Sequence, residues 1–320
     1  MLCVVTPLWQ DRPAHENLEV ARLADQLGYP ELWVGEMATY DAFAFATAVG
    51  LQTSHINLTV GPLAVHVRTP VTMAMGIASV ADLTGRGAKL ALGTSSAVVV
   101  NEWHGGSRVR AAKRLDETAI ATSELLAGQK VMFDGSTVRT NGYRLRLPSP
   151  GAELTIAAFG PEAVKVAARR SSRLVLNMVT PSAVAKFREL LDAEAAASAG
   201  PRPKIAVWLG TAVDATEESH MQMRRSKVAY LAAPGYAEMF TEAGFGEIVN
   251  LAKSRPHPRQ ILESMPPELS ATVGLVGDLL TVKARIAEYE RAGADEICIV
   301  PATAGDPGAK HTLEALRPEV

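Results

Sequence analysis

Short apolar runs alternate along the chain with longer stretches in which apolar side chains recur every three or four positions. The runs are LCVVT (Leu2 to Thr6), ELWVG (Glu31 to Gly35), INLTVGP (Ile56 to Pro62) and KLALG (Lys89 to Gly93), then ELTIAAF (Glu153 to Phe159), RLVLNM (Arg173 to Met178), KIAVWLG (Lys204 to Gly210) and EICIV (Glu296 to Val300). Rich in β-branched side chains and bounded by turn residues, they predict eight strands. Glu16 to Leu27 places Leu18, Ala21, Leu23, Ala24 and Leu27 on one helical face and stops at Gly28. Further helical patterns cover Asp41 to Thr53, Pro70 to Leu83, Lys113 to Leu126, Pro161 to Arg170, Pro181 to Ser198 and Asp278 to Ala292. Pro70, Pro161 and Pro181 suit a first helical turn, where the missing N–H costs nothing. Eight strands with intervening helices predict an α/β fold, a (β/α)8 TIM-like barrel.

Two segments break the rhythm. Residues 131–147, VMFDGSTVRTNGYRLRL, carry DG and NG turn signals between alternating positions and predict a hairpin excursion. Residues 214–272 hold short helical patterns among Pro234, Pro256, Pro258, Pro266 and Pro267, which predicts a helical insertion after the seventh strand within one barrel domain, 1–320. Loops after barrel strands lie over the catalytic face, so this insertion is a candidate wall for a substrate cavity, with Met221, Met223, Tyr230, Met239 and Phe240 either lining it or packing on the barrel.

Composition adds exclusions. A chain of 320 residues with 48% hydrophobic and 21% charged side chains has material for a sizeable core, and its formal net charge of −2 offers no global attraction for nucleic acid or an anionic membrane. The expected partner is a small molecule. The two cysteines, Cys3 and Cys298, sit in apolar runs without metal-ligand spacing, so buried reduced thiols are expected and no metal site. MLCVVTPLWQ lacks the basic start and long apolar core of a leader, and the expected location is the cytoplasm.

The loops after strands four and five hold the chemistry. Thr94, Ser95, Ser96 and Ala97 expose hydroxyls and backbone N–H groups suited to an anionic group, or simply connect two elements. In AAFGPEAV (Ala157 to Val164), Gly160 permits close approach and Pro161 opens a helix whose amino end carries partial positive charge. Glu36, at the end of strand two, is a candidate hydrogen-bond partner for a ring or substrate, or a solvated strand-end charge. His66 is a candidate proton donor titrating near neutrality. His104, beside Trp103, is a candidate donor or a loop anchor. Asp41 and Thr69 read as helix caps, Arg68 as a partner for a carboxylate, and Trp9 and Tyr40 as packing or mouth residues.

The run VRTPVTMAMGIASVADLTGRGAKLALGTSSAVVVNEWHG (Val67 to Gly105) resembles the bacterial-luciferase-like superfamily, in its branch of coenzyme F420 (deazaflavin)-dependent oxidoreductases. The resemblance continues through GEMATYDAF, LTIAAFGPEAV, LNMVTP and YERAGADEICIV. It implies a TIM-like barrel, usually a homodimer, with a deazaflavin in the carboxyl-end mouth. The coenzyme phosphate would lie against Ser95, Ser96 and Ala97 and against Gly160, Pro161 and Glu162. A non-proline cis peptide within Gly61 to Val65 would back the ring, bringing Gly61, Leu63 and Ala64 to the cofactor. The chain departs from the family in three places: Glu36 is followed by Met37 where a sugar-phosphate dehydrogenase branch has histidine, Ser171, Ser172 and Arg173 replace Ala-Asp-Gly, and Gly87 replaces arginine. The implied activity is hydride transfer between the deazaflavin and a small organic substrate. Two alternatives stand beside it, a two-component monooxygenase using flavin mononucleotide (FMN), and a barrel that binds deazaflavin or a metabolite without turnover.

Overall fold

The structure, a computed structural model, describes residues 1–149 and 152–318. Strands β1 (Leu2–Val5), β2 (Glu31–Val34), β3 (Asn57–Ala64) and β4 (Ala88–Gly93) alternate with helices α1 (Glu16–Gln26), α2 (Ala42–Gln52) and α3 (Pro70–Thr84). A π-helical turn (Val98–Trp103) and α4 (Ala111–Leu126) lead to an antiparallel hairpin of β5 (Lys130–Asp134) and β6 (Arg139–Arg144). The alternation resumes with β7 (Leu154–Ala157), α5 (Pro161–Arg170), β8 (Arg173–Asn177), α6 (Pro181–Ala197) and β9 (Lys204–Val213). A run of helices follows: α7 (Glu217–Arg225), α8 (Tyr236–Phe240), α9 (Gly246–Lys253), α10 (Pro258–Ser264) and α11 (Leu269–Thr272). The chain then adds β10 (Gly274–Gly277), α12 (Leu279–Arg291), β11 (Glu296–Pro301) and α13 (Lys310–Ala315).

Eight parallel strands close into a barrel in the order β1, β2, β3, β4, β7, β8, β9, β11 and back to β1. Each of the eight apolar runs supplies one stave, because parallel strands buried on both faces read as near-continuous apolar segments. The short strand β10 pairs with the far end of β9, Gly274 opposite Gly210, outside the ring. Its sequence, GLVG, is too short and glycine-flanked to register as a strand by hydropathy. Helix starts follow their capping residues: Asp41 accepts from the N–H groups of Phe43 and Ala44, Thr69 forms a capping box with Thr72, and Thr180 and Asp278 cap α6 and α12. Among the described residues, no helix is long and apolar enough to cross a membrane.

The core has two layers. One lies between barrel and helices; the other fills the barrel with Cys3, Val5, Trp33, Ala91, Val175, Ala206 and Cys298. Cys3 and Cys298 are register partners on adjacent strands, both buried and reduced. Beneath Trp33, at the amino ends of the strands, Arg173 is a buried cation with Nη1 at 2.7 Å from Glu31 and 2.6 Å from Glu296. Thr59 and Thr155 accept further hydrogen bonds from it, and its guanidinium stacks 4.2 Å from the centre of the Trp33 ring. The arginine at this departure from the family pattern therefore comes with its own counter-charges.

Glu117 of α4 ties the hairpin to the barrel. Its carboxylate accepts from the backbone N–H groups of Ser136, Thr137 and Val138 and from both hydroxyls of Ser136 and Thr137. Burial alone would raise its pKa, but these donors outweigh that and hold the carboxyl far below the usual range. Its stabilising contribution is therefore fully present above the ordinary glutamate pKa and is lost only as pH falls through the depressed folded value. Glu117→Gln is expected to cost about 2 kcal/mol, since charge-assisted hydrogen bonds are replaced by weaker ones and the amide has no way to accept at both ends. Hydrogen exchange is the check: the amides of residues 136–138 should exchange faster while those of the barrel strands keep their protection.

Candidate active site at the carboxyl-end mouth

Inward-facing residues at the carboxyl ends of the strands form the floor of the mouth. Trp208 of β9 is half-buried, meets Trp33 edge-on at 5.5 Å between ring centres, and has Asn177 of β8 as its register neighbour. Opposite, the staves end in small residues. A Cβ at Gly93 would lie 3.3 Å from the Cβ of Pro62 and 3.4 Å from that of Ala157, so these three positions form a low apolar shelf. The shelf depends on a bulge in β3 between Val60 and Leu63. Gly61 has φ +118°, and a Cβ there would lie 2.3 Å from the Ala91 carbonyl oxygen, so only glycine fits.

The cis peptide expected within Gly61 to Val65 is present but prolyl: it joins Gly61 to Pro62. Proline at this position replaces the expected non-proline bond. Leu63 is fully buried in the layer between barrel and helices, which turns its side chain away from the mouth, while Ala64 is half-buried.

On the β2–β3 side of the rim, Arg68 forms ion pairs with Glu36 and Asp41. Glu36 also accepts from the N–H of Ala42 at 3.3 Å. These contacts hold the guanidinium of Arg68 well above its ordinary pKa and commit the Glu36 carboxylate to joining two loops. His66 lies just beyond the bulge, with both ring nitrogens buried and without a protein partner. Burial first, then the charges of Arg114 and Arg108, lower its pKa from the ordinary histidine value, which favours the neutral ring.

The two candidate anion loops are open. Ser95 adopts a left-handed conformation at φ 57° and is exposed with Ser96 and Ala97. Ser96 Oγ accepts from the N–H of Val99, whereas among the described residues the N–H groups of Ser95 and Ser96 donate to no protein acceptor. Across the mouth, Gly160 has open space where a Cβ would stand, and Pro161 and Glu162 are exposed at the amino end of α5. Glu162 pairs with Lys165 at 2.8 Å. His104 ends the π-helical turn on the surface, beside the half-exposed Trp103, and lies outside the mouth floor. The free amides of Ser95 and Ser96 and the open space at Gly160 suit an anionic group such as a phosphate.

The helices after β9 cover the remaining sector. Gln222 of α7 donates to Asp11 and accepts from the N–H groups of Thr303 and Ala304, fastening α7 over the loops after β1 and β11. Met223 and Phe240 are buried as packing residues. Trp9 likewise packs, donating its indole N–H to the Pro301 carbonyl at 2.8 Å. Tyr230 and Tyr236 stand edge-on at 5.0 Å, and Tyr236 lies 4.3 Å from Phe159. Both phenols face the Asn177 amide, and burial raises their pKa values, so they remain O–H donors at neutral pH. Asn177, Trp208, Tyr236 and Lys227 were not singled out in the sequence. For Asn177 a signal existed: it is a polar residue at the carboxyl end of an apolar strand.

The family described as luciferase-like monooxygenase matches residues 4–296. A 5,10-methylenetetrahydromethanopterin reductase of Archaeoglobus fulgidus is 22% identical over 97% of this chain and 96% of its own length. Among solved structures, an F420-dependent secondary alcohol dehydrogenase bound to an F420-acetone adduct superposes with TM-score 0.80 at 16% identity, covering 99% of each chain. The oxygenating constituent of 3,6-diketocamphane monooxygenase from Pseudomonas putida, in complex with FMN, superposes with TM-score 0.71 at 15% identity, over 100% of this chain and 97% of its own.

Proposed function

The chain belongs to the luciferase-like monooxygenase family, and we propose that it is an oxidoreductase holding coenzyme F420 in the barrel mouth and moving a hydride between that deazaflavin and a small organic substrate. The observation that carries the reading is the unpartnered pair of Ser95 and Ser96 amides beside the apolar shelf of Pro62, Gly93 and Ala157. Ser95, Ser96 and Ala97, with Gly160, Pro161 and Glu162, would hold the phosphate, and the shelf would support the ring. Bound there, the deazaflavin supplies the hydride chemistry, and the protein supplies position and electrostatics.

The chain's own groups divide the remaining work. Arg68 fixes Glu36 and Asp41 so that the loops after β2 and β3 keep one geometry. His66, whose lowered pKa favours the neutral ring, offers a hydrogen bond to a bound group. Asn177, Tyr230 and Tyr236 form a polar spot in an otherwise aromatic wall, where a phenol O–H orients a substrate oxygen. The helices covering the β9 sector exclude water from that side.

FMN with molecular oxygen is the second reading, favoured by the FMN-bound structure of the same fold. Titration of the protein with F420 and, separately, FMN, followed by tryptophan fluorescence, distinguishes them, because Trp208 lies in the mouth. F420 is expected to bind with a Kd of about 10 µM or below and FMN far more weakly. A preference for FMN overturns the hydride reading.

A further inference from the structure

The segment Ser107 to Arg114, SRVRAAKR, joins the open Ser95 loop to α4 and carries four cations. Lys113 is paired with Glu117, 3.3 Å away. The other three have no carboxylate within ion-pair distance among the described residues. Arg108 is half-buried and reaches only Thr94, at 3.4 Å from its carbonyl oxygen and 3.3 Å from its hydroxyl. Arg110 donates to Ser136 Oγ, and Arg114 to the carbonyls of Val65 and Thr137.

Nearby carboxylates are engaged elsewhere. Glu117 is taken up by the hairpin turn, Asp116 by Arg170 and Asp134 by Arg139. Glu102, on the exposed π-helical turn, is the acidic residue of the loop itself. The rim beside Ser95 is thus locally positive in a chain of net charge −2. A guanidinium left with unused donors at a ligand-facing rim is suited to carboxylates.

We propose that Arg108 and Arg110 bind the oligo-γ-glutamyl tail of the deazaflavin, the row of carboxylates that extends beyond the coenzyme's phosphodiester. The assignment rests on the F420 reading above. Arg108 borders the phosphate loop through Thr94, and Arg110 lies two residues farther toward α4, so the two form a path outward from the mouth. FMN, which ends at its phosphate, has nothing to place there.

The test is a fluorescence titration of the full chain with three forms of the cofactor: the deazaflavin chromophore without phosphate or tail, the coenzyme with a short tail, and the coenzyme with a long one. The long-tailed form is expected to bind about fivefold to tenfold tighter than the short-tailed one at low salt, with the difference fading at high salt. Arg108→Gln/Arg110→Gln should abolish this tail dependence and leave the Kd of the bare chromophore unchanged. Arg144→Gln/Arg146→Gln, which removes equal charge elsewhere, should retain it. Tail-independent binding by the wild type, or tail dependence that survives in the Arg108/Arg110 variant, overturns the assignment while the F420 reading stands. Binding of no deazaflavin form overturns both.

Discussion

Arg173→Met is expected to lower the stability of the barrel by about 3 to 5 kcal/mol, among the largest losses open to a single substitution here. The change leaves Glu31 and Glu296 buried at the amino end of the barrel, with Lys89 and the more exposed Lys204 as the remaining cations in ion-pair range among the described residues. Burial alone would raise the pKa of Glu31, but Arg173 and Lys89 outweigh that and lower it. In the wild type the stabilisation is therefore present above the ordinary glutamate pKa and is lost as pH falls through the lowered value. Without the arginine the largest lowering influence on Glu31 is gone and burial raises its pKa, so the variant is expected to gain stability as the pH is lowered toward 5. Denaturant midpoints of wild type and variant across that range check both the size and the sign. The companion variant, Arg173→Met with Glu31→Gln and Glu296→Gln, should recover most of the loss, because the cost lies in stranded charge more than in the missing pair. Failure to recover would mean that the guanidinium acts mainly by filling space against Trp33.

Lys227→Met is expected to do the opposite. The ammonium is almost completely buried beneath the helices after β9, with the Met223 carbonyl oxygen 2.9 Å away and no carboxylate in ion-pair range among the described residues. Burial lowers its pKa from 10.5 to about 7. A depressed lysine pKa means that folding opposes protonation, so this penalty is largest below the folded pKa and vanishes above the unfolded one. At pH 7 it amounts to about 4 kcal/mol, and near pH 9.5 to about 1 to 2 kcal/mol. A methionine of similar length, set beside Met223, removes it. The variant should melt higher than the wild type, by a margin that narrows as pH rises; an equal gain at pH 7 and pH 9.5 would rule out the buried charge as the cause. The Lys227 nitrogen lies 3.8 Å from where a Cβ on Gly210 of β9 would stand.

What the sequence determined by itself was the local grammar of the barrel. Eight apolar runs became eight staves because a strand covered by helices on one side and core on the other has no polar face to disguise it. Helix starts were legible at Asp41 and Thr69 because a cap acts on N–H groups only two or three residues away. The loops after strands four and five stood out for the same reason, since small residues next to a strand end are a local feature.

The tertiary structure decided everything that depends on closure. Arg173 meets Glu31 across 142 positions of sequence and Glu296 across 123, so its charge balance exists only once the eighth stave returns to the first. Glu36, a lone strand-end carboxylate in the sequence, is committed to Arg68 only when β2 and β3 lie side by side. The lowered pKa of His66, the depth of Lys227 and the convergence of Asn177 with Tyr230 and Tyr236 follow from desolvation and packing between remote segments. Hydrophobic periodicity reports which face of an element is buried; it carries no information about which distant residue shares that burial.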